Sequence, residues 1–275
     1  MWLYVFISVL YLYTYLYIKH KIFFIFLILF LSYYTYIDRK NMLKNTSYDS
    51  NIPIPRLIHQ IAPQDITRWH SSWLECYNTW KVHFPVENGF VFKLWNDEQD
   101  LDQLIHDHFP VYKNIVEKMN YKIQKIDFCR YLILYLHGGI YIDMDFFCQK
   151  PFFDQLDRTK VNLVESPFVE AEYVQNSLMA SPPFHPFWLK LADQIAQNVL
   201  MDYNHPLICI NETSGCATLS AMYYQNQDLV HILPKDQFNP IYCKAFDDPN
   251  NPLCSSCFCK HFGTGGETWV PTLNL

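Results

Sequence analysis

Short β-rich segments alternate with helix-like segments along most of this chain, and this alternation restricts the fold more than any other feature. The strand-like segments are IPIPRLIHQIA, FVFKLWND, IYIDMDFF, KVNLVES and LVHILP, which begin at residues 52, 90, 140, 160 and 229. Helical patterns of apolar residues occupy 69–84, 101–118, 123–136, 186–200 and 217–226. Strands that alternate with helices predict an α/β fold with a mostly parallel sheet between helices.

A long apolar N-terminal segment precedes this α/β body. Residues 2–18 and 22–37 are apolar and rich in tyrosine, with a Lys-His-Lys triplet between them. Each run is slightly shorter than the roughly 20 residues that cross a bilayer as a helix. We predict that residues 1–37 form a hydrophobic membrane anchor, as one span or a short hairpin, that residues 38–51 are a linker, and that residues 52–275 form one globular domain.

The number of spans decides on which side of the membrane the body lies. A single span with the basic triplet in the cytosol would place the body in a lumen, whereas a hairpin would return it to the cytosol. The cationic residues Arg39, Lys40 and Lys44 favour the hairpin. Two sequons, which begin at Asn45 and Asn211, could be glycosylated only in a lumen. We expect a lumenal body in the Golgi or endoplasmic reticulum, and the topology stays open at this point.

The cysteines and the net charge indicate which partners to expect. Four of the nine cysteines crowd the C-terminal end: Cys243, Cys254, Cys257 and Cys259. Disulfides or free thiols explain them better than a zinc site with His261, because their spacing matches no standard zinc module. The net charge is -6 and the body has no basic block, so nucleic acid is not an expected partner.

Two aspartates follow a predicted strand in the sequence HGGIYIDMDFF, in which they are Asp143 and Asp145. Ligands of α/β sheets bind outside the carboxyl ends of the strands. Residues two apart on an extended segment point the same way, so the two carboxylates should converge while Met144 faces the opposite side. Such a pair suits Mg2+ or Mn2+ held together with a phosphate-bearing substrate. Solvated loop aspartates are the alternative explanation.

A second charged pair lies on the helix that precedes this strand. Asp127 and Arg130 are three residues apart, hence on one face of an otherwise apolar helix. The spacing fits an intrahelical salt bridge as well as it fits a binding site. Further polar residues stand near the predicted ends of earlier strands: His59, Gln60, Asn96 and Asp97.

The segment IDFCRYLILYLHGGIYIDMDFF resembles the signature of glycosyltransferase family 32, whose sugar-binding region contains a DXD motif. This family includes initiating outer-chain α1,6-mannosyltransferases and inositol-phosphoceramide mannosyltransferases. Similarity continues in IPRLIHQIA, FKLWND, ASPPFHPFW and HFGTGGETW, so it extends from residue 54 to residue 269. The resemblance implies that residues 52–275 are a catalytic domain of the GT-A type, a nucleotide-sugar-binding fold that transfers a hexose with retention of configuration.

The resemblance also implies roles for the charged residues. Asp145 would bind a divalent cation directly, and Asp143 would contact the donor ribose or sugar and the water shell of the cation. Asp127 and Arg130 would hold the hydroxyls of the donor sugar. These four residues would be the catalytic set.

Four more residues are implied to contact the donor or the metal. His59 and Gln60 would lie beside the nucleotide, while His261 and Trp269 would close over the diphosphate, with His261 as a further metal ligand. Two departures from the family pattern are the sequence ETSGCATLS at residues 212–220, where Thr-Gly-Pro is common, and the lack of a Trp soon after Gln60. Acceptor contacts therefore have no assigned residues, and stacking on the base would have to come from Trp69 or Trp73, for which a place in the core is the alternative.

The sequence thus predicts a membrane-anchored transferase that depends on Mn2+ or Mg2+ and moves a hexose from a nucleotide-sugar to a glycan, glycolipid or glycoprotein hydroxyl. Mannose from GDP-mannose is the first expectation, and UDP-galactose or another UDP-hexose is the alternative. A two-metal phosphoesterase would need a second cluster of ligands, which is not evident. A non-catalytic, membrane-tethered glycan-binding relative would have no need of all four charged residues.

Overall fold

The computed structural model describes residues 17–28, 30, 48–167, 173–240 and 257–264. The chain divides into two units, Met1–Ser47 and Tyr48–Leu275. In the first unit, residues 17–28 are helical and their side chains are exposed. Over the described residues, no helix is both long enough and apolar enough to cross a bilayer. Most of the predicted anchor lies outside the described residues, so the anchor stays a prediction.

The second unit alternates strands and helices, as the sequence pattern predicted. Its strands are β1 (Leu57–Ala62), β2 (Val91–Asn96), β3 (Gly139–Ile142), β4 (Phe146–Cys148), β5 (Val161–Glu165), β6 (Val174–Ser181), β7 (Val230–Leu233) and β8 (Cys259–His261). Its α-helices are α1 (Trp73–His83), α2 (Gln99–His108), α3 (Lys113–Val116), α4 (Lys122–His137), α5 (Pro186–Asn198), α6 (Pro206–Thr213), α7 (Cys216–Gln225) and α8 (Lys235–Phe238).

Six strands form the main sheet in the order β2-β1-β3-β6-β5-β7. The pairs β1–β2, β1–β3 and β5–β7 are parallel, and β6 runs antiparallel to both of its neighbours. Strands β4 and β8 form a separate antiparallel ribbon. The predicted α/β fold with a mostly parallel sheet is therefore confirmed, with one reversed strand in the middle.

Two glycines bring the chain from α4 into β3. Gly138 and Gly139 both have positive φ angles, 62° and 92°. A Cβ atom at Gly138 would lie 2.6 Å from the Pro183 nitrogen, and one at Gly139 would overlap the carbonyl oxygen of Leu57. Because only glycine fits both the backbone angle and the space, this turn sets β3 directly beside β1. It thereby fixes the point at which Asp143 leaves the sheet.

The sheet is covered on both faces. On one face, apolar side chains of the strands pack against α1, the ribbon and α8 through Trp80, Phe146 and Phe238, all fully or almost fully buried. The Trp80 indole also donates a 2.7 Å hydrogen bond to the carbonyl of Phe146, which joins α1 to the ribbon. Helix α4 contacts β1, β3 and β6 on the other face. The ribbon is therefore anchored on the core, directly after the aspartate pair.

Several elements differ from the sequence prediction, and three of them line the cavity or lie beside it. IYIDMDFF is two strands, because residues 143–145 form a turn between β3 and β4. Strand β6 was not predicted, since VQNSLMAS shows no alternation even though every one of its side chains is buried. Helix α6 was not predicted either, as its eight residues are too few to show a clear period.

Candidate active site

A cavity of about 840 Å³ opens at the edge of the sheet where β1 and β3 end and β6 begins. Its size falls within the range of small-molecule sites. The charged or titratable residues of its wall are Arg68, Asp97, Lys122, Asp127, Arg130, Tyr141, Asp143, Asp145, Cys216 and His261. The position agrees with the rule that α/β sheets bind ligands outside the carboxyl ends of their strands.

A tight turn holds the two aspartates. The Asp143 amide donates to the carbonyl of Ser177 at 2.8 Å, and the Phe146 amide donates to the carbonyl of Asp143 at 3.3 Å. Met144 is buried, lines the same cavity and packs with Trp73. The expectation that Met144 faces away from the aspartates was wrong, because the segment turns at Asp143 instead of continuing as an extended strand.

Asp145 is 2% exposed and contacts residues 261–264, which we call the C-terminal segment. The Nε2 atom of His261 lies 3.2 Å from its Oδ1 atom, and the Thr264 hydroxyl donates to its Oδ2 atom at 3.4 Å. The Trp73 indole donates to the same Thr264 hydroxyl at 3.1 Å. The His261 ring stacks on Phe146, with centroids 4.5 Å apart, as the register of the β4–β8 ribbon requires. The ribbon thus sets His261 against Asp145.

Arg130 links the two acidic elements of the site. Its guanidinium lies 3.1 Å from Asp127, one turn earlier on α4, and 3.3 Å from Asp143. It also donates to the carbonyl of Asn176 at 3.0 Å and lies over the ring of Tyr141. The Tyr141 hydroxyl donates to Asp143 at 2.8 Å. Asp127 and Arg130 therefore form an intrahelical ion pair and both line the cavity, so the salt-bridge explanation of their spacing is confirmed and their role in binding stays a prediction.

A layer of neutral groups supports this ion pair from behind. The Asn176 amide donates to Asp127 and to the Tyr131 hydroxyl, both at 3.0 Å. The Ser214 hydroxyl donates to the other Asp127 oxygen at 3.2 Å. Asp127 is 4% exposed, so these hydrogen bonds replace the water that its carboxylate loses on burial. The pair is held in one orientation.

Burial and mutual repulsion raise the pKa values of the acidic groups. Burial raises the pKa of Asp127 to about 6, against the opposing effect of Arg130. Burial also raises the pKa of Asp143, again opposed by Arg130 and reinforced by Asp145. Burial alone would lower the pKa of His261, but the nearby Asp145 carboxylate raises it overall. Three carboxylates share one guanidinium and one imidazole, an arrangement that favours binding of a cation.

The donor groups at the centre of this cluster fit a divalent cation. Asp143, Asp145 and His261 offer ligand atoms that all lie within 4.8 Å of one another. Two carboxylates with an imidazole form a set that Mn2+ accepts, and further positions remain for substrate oxygens or water. The chemistry and the spacing of these side chains are therefore compatible with a metal site.

Three residues that the resemblance implied for donor binding lie elsewhere or outside the described residues. His59 and Gln60 are inside β1, which continues to Ala62, and the β1 residues that line the cavity are Ile61 and Ala62. The prediction that β1 ends at His59 and Gln60 was wrong, because the strand continues for two more residues, to Ala62. Trp269 lies outside the described residues. The roles of these three beside the donor stay predictions.

His59 has a structural environment that holds it neutral. The Trp95 indole donates to its Nδ1 atom at 3.1 Å, and its Nε2 atom lies 3.0 Å from the Gly138 carbonyl. Since Nδ1 accepts, Nε2 carries the proton and donates. Burial lowers the pKa of His59 to about 3, although the Gly138 carbonyl opposes the shift. The His59 ring therefore fixes the position of the turn at Gly138, which leads into β3.

We expect this histidine to make the fold less stable in acid. Unfolded His59 takes up a proton near pH 6.5, whereas the folded form resists until about pH 3. Stability should therefore fall as the pH falls through this window, by about 2 kcal/mol between pH 7 and pH 5 from this residue. Urea unfolding at the two pH values measures it. His59→Gln should remove this part of the pH dependence of the free energy of unfolding. His106→Gln, at an exposed site, should keep it. The same pH dependence in both variants would contradict the assignment.

Several residues of the site carried no signal that sequence reasoning used. Asn176 is in the strand that was not predicted, and Tyr141 looked like an ordinary strand residue. Thr264 contacts Asp145 from the C-terminal segment and accepts a hydrogen bond from Trp73 on α1, which is far from it in sequence. Lys122, at the rim, pairs with Asp97 at 2.9 Å. The sequence did indicate Asp97 as a candidate site residue, because it directly follows the predicted second strand.

Comparison with known proteins agrees with this geometry. A family model described as the glycosyltransferase sugar-binding region containing the DXD motif matches residues 70–162. The uncharacterized glycosyltransferase L373 of Acanthamoeba polyphaga mimivirus is 28% identical over 238 residues, which are 81% of this chain and 86% of that protein. Inositol phosphoceramide mannosyltransferase 1 of Schizosaccharomyces pombe is 33% identical over 150 residues, 53% of this chain and 45% of that protein. The chain thus matches about half the length of this fungal relative.

A solved structure, the PaToxG glycosyltransferase, superimposes with a TM-score of 0.48 at 17% identity, covering 70% of this chain and 79% of that chain. The site and the sequence similarities together define a glycosyltransferase. Residues 70–162 and the mannosyltransferase relatives support a resemblance to family 32, the glycosyltransferases whose sugar-binding region contains a DXD motif. The resemblance predicted from the sequence is therefore confirmed.

Proposed function

We propose that this protein is a metal-dependent, retaining glycosyltransferase that moves a hexose from a nucleotide-sugar to a hydroxyl group. The observation that carries the proposal is the convergence of Asp143, Asp145 and His261 within 4.8 Å, beside the Asp127–Arg130 pair, in one cavity. We assign the fold to the GT-A type. The sheet with one reversed strand and the aspartate pair after β3 support that assignment.

Each residue of the cluster has a distinct task in this proposal. Asp143, Asp145 and His261 would hold Mn2+ or Mg2+, and the bound cation would offset the charge of the departing diphosphate. Asp127 and Arg130 would hold the hydroxyls of the donor sugar, since both are buried and fixed in orientation. Fixed polar groups of this kind stabilise developing charge without having to reorganise.

The C-terminal segment would exclude water from the donor. The Phe262 amide donates to the carbonyl of Asp145 at 3.0 Å, and Thr264 contacts the Asp145 side chain. Asp145 is thereby shielded from one side. Water exclusion matters in a transferase, because water competes with the acceptor hydroxyl for the donor sugar.

We take mannose from GDP-mannose as the first donor, because the S. pombe relative is named a mannosyltransferase. UDP-galactose or another UDP-hexose is the alternative. Trp73 lines the cavity, which supports a role for it in stacking on the base of the donor. Its contacts with Met144 and Thr264 equally suit a supporting role.

The acceptor would approach over an apolar rim. Ile123 and Ile126 on α4 and Leu207 and Ile210 on α6 line the cavity on the side of Arg130. Lys122 stands at the same rim and is 44% exposed. Apolar side chains next to a cation fit an acceptor with a lipid part and an anionic head, so a glycolipid is our first choice before a glycan or a glycoprotein.

We keep the proposal that residues 1–37 anchor the protein in a Golgi or endoplasmic reticulum membrane, with a lumenal body. Asn211 is a poor glycosylation site, because it lies in α6, lines the cavity and accepts a 3.0 Å hydrogen bond from the Ala217 amide. Asn45 lies outside the described residues. A glycosidase shift that Asn45→Gln abolishes would place the body in the lumen, and an unglycosylated protein from the secretory pathway would oppose it.

The donor panel is the direct test of function. Nucleotide release by the full chain in detergent is measured with GDP- and UDP-sugars, in Mn2+, in chelator, and after Mn2+ is added back. We expect one donor to be turned over, with a loss of about 100-fold or more in chelator and recovery on addition of Mn2+. If a folded, metal-loaded sample neither binds nor turns over any donor, the protein is a non-catalytic glycan-binding relative and the proposal fails.

A further inference from the structure

Two cysteines face each other in the ribbon that carries the metal cluster. Cys148 on β4 is directly opposite Cys259 on β8. The Gln149 amide donates to the Phe258 carbonyl at 2.8 Å, and the Phe262 amide donates to the Asp145 carbonyl at 3.0 Å. Hydrogen-bonded and non-hydrogen-bonded pairs alternate along an antiparallel ladder. Cys148 and Cys259 therefore form a non-hydrogen-bonded pair, in which Cα atoms are about 4.5 Å apart.

That separation is within the range that a disulfide spans, about 4.4–6.8 Å between Cα atoms. Both side chains are fully buried and both are free thiols. Directly opposed residues of an antiparallel ladder project from the same face, so the two thiols lie side by side on one face of the ribbon. The bond could form without any movement of the backbone.

We propose that Cys148 and Cys259 are an oxidisable pair that forms a cross-strand disulfide in an oxidising compartment. The two thiols would lose two protons and two electrons to a small-molecule disulfide such as oxidised glutathione, which is reduced to two thiols. Since both sulfurs are fully buried, exchange requires the ribbon to open, or takes place during folding before the ribbon closes. In the folded protein the bond is then protected from reductants.

The bond would join the two halves of the metal cluster covalently. Asp145 directly precedes β4, and His261 is the last residue of β8, two positions beyond Cys259. The cysteine pair lies two ladder steps from the Phe146–His261 pair. A link at this place holds His261 against Asp145 even when the C-terminal segment separates from the core. The existence of the disulfide does not depend on the proposed transfer reaction, whereas this consequence does.

Among the cysteines that the structure describes, Cys257 is the competing partner for Cys259. Its thiol accepts a 2.8 Å hydrogen bond from the Gln149 side chain, and after burial and Cys148 it also contributes to the raised pKa of Cys259. Cys257 lies two residues before Cys259 in the same stretch of chain, so it is not the residue opposite Cys259 across the ribbon. Directly opposed cysteines have their Cβ atoms closest. The geometry of the ribbon therefore favours Cys148 over Cys257.

Peptide mapping of the purified full chain tests the pairing. The protein is equilibrated with oxidised glutathione, alkylated under denaturing, non-reducing conditions and digested. We expect one linked peptide that contains Cys148 and Cys259, lost after reduction. Recovery of both cysteines as alkylated thiols, or of Cys259 linked to Cys257, would overturn the proposal.

Counting thiols in single variants gives a second, independent readout. If the pair is oxidised, Cys148→Ser frees its partner and raises the number of titratable thiols by one in denaturant. Cys76→Ser, a buried cysteine on α1, should lower the number by one. A decrease by one in both variants would contradict the disulfide. If Cys148→Ser does not fold, the peptide map of the unmodified sequence still decides.

Discussion

Asp145→Asn is expected to lower the rate of nucleotide release about 10³-fold, equivalent to about 4 kcal/mol of transition-state stabilisation. Asp145 is 2% exposed and contacts His261, so its charge is the most buried part of the proposed metal site. Asparagine has nearly the same shape and can still accept the hydrogen bond from Thr264. The substitution therefore removes the charge with little change in packing.

The measurement is steady-state turnover of the preferred donor over a range of Mn2+ concentrations, together with the melting temperature. The variant should need at least about 10-fold more Mn2+ for half-maximal rate, since a carboxylate ligand becomes a neutral amide. Asp154→Asn is the matched control, because that side chain is 89% exposed and pairs only with Arg158 among the ion pairs of the described residues. Wild-type turnover and Mn2+ dependence in Asp145→Asn would rule out this aspartate as a metal ligand.

Arg130→Ala is expected to lower the free energy of unfolding by about 3–5 kcal/mol, a larger loss than most single substitutions cause. Arg130 is 4% exposed and is the cation that faces both Asp127 and Asp143. Its removal leaves the buried Asp127 carboxylate and the partly exposed Asp143 carboxylate without this counter-charge. The pKa of Asp127, already raised to about 6, should rise further because the opposing effect of Arg130 is lost.

Arg130→Lys separates the effect on stability from the effect on activity. Lysine keeps the charge but cannot reach Asp127, Asp143 and the Asn176 carbonyl with one planar group. We expect most of the stability to return while turnover stays about 100-fold below the unmodified enzyme. Urea unfolding and donor turnover give the two numbers. Arg158→Lys, in an exposed pair, should change neither the free energy of unfolding nor the turnover by a measurable amount. An Arg130→Ala variant as stable as that control would show that the Asp127–Arg130 ion pair does not stabilise the fold.

Local patterns were sufficient to predict much of the scaffold. β1, β2, β5, β7 and α4 form where apolar runs and helical periods indicated, because their burial depends on short-range order of side chains along one element. Strand β6 was not predicted, because Gln175, Asn176 and Ser177 are polar in sequence and are buried only by partners on other elements. The prediction of IYIDMDFF as one strand failed because the turn at Asp143 is stabilised by the Ser177 carbonyl, on a strand that local sequence does not reveal.

The sequence by itself determined the resemblance to family 32 and the identity of the charged residues, because the motif from Asp127 to Asp145 is continuous and its chemistry is carried by residue type. Only the tertiary structure decided that Arg130 binds Asp143 as well as Asp127, that His261 lies 3.2 Å from Asp145, and that Cys148 faces Cys259. Those contacts join positions that are far apart in the chain. Their distances follow from how β3, β4 and β8 pack on the core, which no local pattern encodes.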